Sequence, residues 1–127
     1  DETPLFPYLL SYEGEQRSER VLRQIEADLP RYCVEQNDLL VPLRYLNTHP
    51  GESDAIICAA LESIFDLPRG IACGIIDDWG PEFITPAIRR SLIKARQLSN
   101  NDVVTARIDC LLAGKHFDIG KFLNKRK

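Results

Sequence analysis

The sequence predicts an all-α fold, built as a multi-helix bundle or a short HEAT-like stack of antiparallel helix pairs. Three observations carry this. Apolar residues recur at helical rather than alternating spacing. Helix-start signals of the Ser, Thr or Asn type precede most of the apolar runs. No β-branched alternation and no Asn-Gly or Asp-Gly hairpin turn is present. With 127 residues the chain is expected to form one domain, residues 1–127, around one core.

Asp1 to Tyr12 carries two prolines and the apolar group Leu5, Phe6, Tyr8, Leu9 and Leu10 without a clean period, which reads as a short helix or an arm on the body. Glu13-Gly14-Glu15 breaks the chain. Ser18 to Leu29 then places Val21, Leu22, Ile25 and Leu29 on one face, with Arg17, Arg20, Arg23 and Glu26 outward. Pro30 disfavours helical geometry at Leu29 and suits the start of a second segment to Gln36.

Asn37-Asp38 caps a short helix faced by Leu39, Leu40, Leu43 and Leu46, in which Pro42 is tolerated only in the first turn. After the Thr48-His49-Pro50-Gly51 turn, Ser53 is the expected N-cap of a central helix over Asp54–Phe65. That stretch is apolar almost all the way round, so it has no face for water and must be enclosed by other elements. Asp66-Leu67-Pro68 is read as its end.

Pro68 to Ile76 is small and apolar, and Gly70 and Gly74 would let it approach the central helix closely. Asp77-Asp78-Trp79-Gly80-Pro81 reads as an acidic, aromatic corner, with Gly80 in a left-handed cap position. Thr85-Pro86 opens a helix with Ile88, Leu92, Ile93 and Ala95 inward and Arg89, Arg90, Lys94 and Arg96 outward. Ser99 to Asp102 caps the next, whose stripe is Val104, Ile108, Leu111 and Leu112 up to Gly114. The tail adds Phe117, Ile119, Phe122 and Leu123 before Lys125-Arg126-Lys127. The pairs Asp54 to Asp78 and Phe83 to Ala113 have the length of HEAT-type repeats.

Composition excludes some classes and points to others. No apolar run approaches the ~18 residues of a membrane span. Cys33, Cys58, Cys73 and Cys110 are too sparse for a disulfide scaffold and have no CxxC spacing. They read as small buried apolar residues, which fits a reducing cytoplasm. The sequence does not start with methionine and contains none, which reads as a processed or trimmed product. Its charge is polarised: residues 1–82 hold 16 acids against 6 bases, and residues 83–127 hold 3 against 10, an asymmetry that favours a charged partner.

The candidate partner contact is Asp77, Asp78, Trp79 and Glu82. Carboxylates on a loop are good ligands for Lys and Arg of another protein, and an exposed Trp is a strong anchor. The plainer alternative is that Trp79 plugs the core and the aspartates face water. The alternative basic face is Arg89, Arg90 and Lys94, extended by Arg96, Lys115, Lys121 and the terminal Lys125-Arg126-Lys127, which could reach phosphates or simply solvate a helix. No GxSxG, HExxH or glycine-rich phosphate loop is present, so no catalytic residue, metal or cofactor is expected.

In size, composition and helix pattern the whole chain resembles the helical class of bacterial immunity proteins that neutralise contact-dependent toxins. The resemblance implies a cytoplasmic, non-catalytic inhibitor that occludes a basic nuclease-type toxin, with Asp77, Asp78, Trp79 and Glu82 meeting the basic cleft. A nucleic-acid-associated regulator and a scaffold module of a larger protein are the alternatives.

Overall fold

The computed structural model describes residues 15–125. The expected arm at Asp1 to Tyr12, the side chain of Arg17 and the terminal Arg126-Lys127 lie outside what is described. Seven α-helices are present among the described residues and no strand. They are α1 (Glu15–Ala27), α2 (Leu40–Asn47), α3 (Asp54–Leu61), α4 (Asp66–Trp79), α5 (Pro86–Leu98), α6 (Asp102–Leu112) and α7 (Ile119–Lys125). Short 3-10 turns at Leu29–Tyr32 and Pro81–Phe83 each use a proline at the start, where its missing N–H costs nothing.

Helix starts follow local chemistry. Ser53 accepts a hydrogen bond from Ile56 N at 3.2 Å and Thr85 one from Ile88 N at 3.2 Å. Asn101, rather than its neighbours, caps α6 by accepting from Val103 N and Val104 N at 2.9 and 3.1 Å. Pro42 sits buried in the first turn of α2, where it is tolerated. Ser53 also donates to Glu26, joining the end of α1 to the start of α3.

The central helix is shorter than its apolar run predicts. It ends at Leu61 rather than Phe65, because polar groups take over the next residues. The Glu62 carboxylate is drawn to Ser91 and Lys94, Ser63 Oγ accepts from Phe65 N at 3.0 Å, and Arg69 Nη2 donates to the Ser63 carbonyl at 2.6 Å. Asp66-Leu67-Pro68, read from sequence as a terminator, instead forms the first turn of α4. Pro68 is compatible with that position, since the N–H it lacks would have no helical partner there.

Contacts arrange the helices in two layers of stacked pairs. α3 packs on α5, α4 packs on α6, and α4 also touches α2 and α3. α4 and α6 run in the same direction: a Cβ on Gly70 would face Val104, one on Gly74 would face Arg107, and Asp77 meets His116 beyond the end of α6. The core is one apolar cluster through both layers, including Leu22, Leu43, Ile57, Ile76, Leu92 and Ile108. Two sequence expectations are corrected by this packing. Gly70 and Gly74 do not approach α3, since no α3 atom lies within 4 Å of a Cβ built on either. Ile93 is 46% exposed rather than inward, its place on the inner face of α5 being taken by Ser91 bonded to Glu62.

Candidate functional site

The candidate contact is built around the last turn of α4 rather than a loop. Asp77, Asp78 and Trp79 are all helical, and the helix stops at Gly80, whose φ of +104° only glycine adopts without strain. The corner expected to start at Asp77 starts instead at Gly80, after the acidic pair and Trp79 have completed the helix. Glu82 follows on the adjoining 3-10 turn and is exposed, its carboxylate folded back beside Gly80.

Trp79 is not an exposed anchor. It is 6% exposed, donates its indole N–H to the Leu46 carbonyl at 2.8 Å and meets Phe83 edge-on at 5.9 Å. Its role is to pin the end of α4 to the end of α2. Asp77 is also largely covered, with its side chain 8% exposed and 2.9 Å from His116 Nδ1. Asp78 is exposed and has no ion-pair or hydrogen-bond partner among the described residues. The structure therefore gathers Asp77, Asp78 and Glu82 at one end of α4 and withdraws Trp79 from the surface.

That end is the negative pole of the helix dipole, and no basic residue lies in the last turn of α4. A carboxylate there costs about 0.3–1 kcal/mol by like-sign interaction. His116 relieves Asp77 when its imidazole is protonated, or donates a neutral N–H to it otherwise. Asp78 is left uncompensated. A small cleft of about 50 Å³ beside Asp77 is lined by Gly80, Pro81, Lys115 and His116. The contact of His116 with Asp77 is not legible in the sequence, since a partner 39 residues away leaves no local signal.

Arg89, Lys94 and Arg96 of the alternative basic face are engaged within the molecule. Arg89 donates to the Leu112 carbonyl at 3.3 Å, at the end of α6. Lys94 pairs with Glu62 at 3.4 Å, and Arg96 grips Asp109 with two hydrogen bonds of 2.6 and 3.3 Å. Arg90 is exposed and has no acceptor among the described residues. These cations tie α5 to α3 and α6, so the basic third of the sequence is partly neutralised in space.

The four cysteines are free thiols. Cys73 is buried, and burial pushes its thiol up to about 12, with Arg107 and Arg69 pulling weakly the other way. Burial also raises the Cys33 and Cys58 thiols. None of these three is an activated nucleophile. Among the described residues no group of three His, Cys, Asp or Glu side chains is placed to hold a metal ion, and no helix is long and apolar enough to cross a membrane. No family model, no curated protein and no solved structure matches this chain.

Proposed function

We propose that this chain is a non-catalytic protein-binding domain, acting as an immunity protein that occludes a basic, nuclease-type toxin. The observation that carries the reading is the gathering of carboxylates, with Asp78 and Glu82 exposed, at the negative pole of α4. Asp78 and Glu82 stand where the helix itself disfavours acids and have no ion-pair partner among the described residues, and a cationic surface is the partner that would offset their cost. The contact set is accordingly Asp78 and Glu82, with Asp77 reached through its edge beside His116 and Trp79 acting as their support from beneath. Engagement of Arg89, Lys94 and Arg96 with acceptors of this same chain speaks against the nucleic-acid reading.

The test is co-expression with the product of the adjacent reading frame. Wild type should protect growth and associate in a salt-sensitive manner. Asp78→Lys with Glu82→Lys should weaken association at least about a hundredfold, because like charges then face each other. Unchanged protection by that variant, or tight and steeply salt-dependent binding of wild type to generic duplex DNA, would overturn the proposal.

A further inference from the structure

A second surface lies between α2 and α4, where a groove of about 410 Å³ runs along the outer face of α4. Its floor is apolar: Leu40 and Ile71 are half-buried and Ile75 is buried. Its rims carry opposite charges, Arg44 from α2 and Asp78 from α4, both exposed. They line one groove, yet neither pairs with the other or with any other described side chain.

Gly74 sits in the floor, and the fold gives no reason for a glycine there. Its φ is not positive, so alanine would adopt the same backbone. A Cβ would meet only Arg107 Nη1, the far end of a flexible side chain, at 3.4 Å. Gly70, one turn earlier, would place its Cβ in ordinary contact with Val104 at 3.8 Å. A mid-helix glycine is destabilising relative to alanine, so its presence fits a need for close approach from outside.

Arg107, reaching over from α6, adds a second guanidinium beside Gly74. It stacks over the Phe117 ring at 5.1 Å, has no carboxylate partner among the described residues, and keeps a buried Nε without an acceptor. Arg44 lines the groove together with Gly74, Arg107 Nη1 lies beside that glycine, and a lone carboxylate, Asp78, stands one turn further on. Such a pattern is complementary to a chain that carries both signs of charge around an apolar side chain.

We propose that this groove receives a short segment of a partner polypeptide, with an apolar residue on Ile71 and Ile75, a carboxylate toward Arg44 and Arg107, and a Lys or Arg toward Asp78. The inference rests on the protein-binding reading above and names the chemistry of what is bound. It extends the contact from the end of α4 along its outer face.

A random peptide library displayed on phage and panned against the immobilised full chain tests this. Enriched sequences should combine an acidic, an apolar and a basic residue, and a synthetic peptide of that sequence should bind at least about tenfold more weakly to Arg44→Glu and to Gly74→Leu. Exchanging the peptide's acid for lysine should restore binding to Arg44→Glu. Gly74→Leu should melt no lower than wild type, which separates a filled groove from a damaged fold. No enrichment, or equal affinity for wild type and both variants, would overturn the inference. Displacement of the selected peptide by a synthetic peptide of residues 1–14, or an Arg44-dependent dimer in sedimentation, would also overturn it by giving the groove another occupant. Protection that survives Arg44→Glu and Gly74→Leu but not Asp78→Lys with Glu82→Lys would sink the groove and leave the immunity reading standing.

Discussion

At the scale of single residues, Trp79 shows what the sequence held and what it hid. Ala72, Ile76 and Trp79 follow one another at helical spacing, so the tryptophan lies on the buried stripe once α4 is carried through to its true end. Breaking the helix early at the acidic pair sent it to a surface corner instead. Its acceptor, the Leu46 carbonyl, lies in the last turn of α2, where carbonyls fall outside the helix's own ladder, and nothing local announces it. Trp79→Ala is expected to lose about 3–5 kcal/mol in urea unfolding, and Trp79→Phe a smaller ~1–2 kcal/mol for the lost hydrogen bond. Cys73 offers a pH test. Its thiol is raised from the ordinary 9 to about 12 by burial, so its contribution is complete below pH ~9 and is lost as pH rises toward 12. Stability of wild type should fall across that window, and a Cys73→Ala variant should show a shallower fall.

At the scale of elements, the boundary between α3 and α4 was the least legible feature. Pro68 serves a first turn as well as it ends a helix, and the sequence alone does not choose. Arg69 decides it: 2% exposed, it clamps Asp66 at 2.5 Å and the Ser63 carbonyl, fixing the non-helical link. The caps at Ser53 and Thr85 were legible because a cap is local chemistry. Replacing Ser53 with Ala should cost about 0.5–2 kcal/mol, since the cap of α3 and the link to Glu26 go together. Ile57→Asp, which puts an unpaired charge on a fully buried position of α3, should unfold the protein outright by circular dichroism. Gly80→Ala should cost about 1–3 kcal/mol in thermal unfolding, because it forces a left-handed φ on alanine.

At the scale of the whole molecule, helical class and apolar faces were readable from periodicity, whereas the pairing of distant helices was not. The charge halves of the sequence meet at one point, where Lys94 of the basic third pairs with Glu62 of the acidic part. α4 touches α2, α3 and α6, while α7 rests chiefly on α6. Native-state hydrogen exchange is therefore expected to be slowest in α4 and fastest in α7, in graded steps along the stack. Uniform protection across all seven helices would contradict that order.

The last turn of α4 has one more consequence. The chain contains one tryptophan, and that residue lies directly beside Asp78, within the same turn. Emission from Trp79 is thus a built-in optical reporter of this end of the molecule. A cation arriving at Asp78 would alter the field at the indole while leaving it covered, so partner arrival is readable as a change in emission without any attached label.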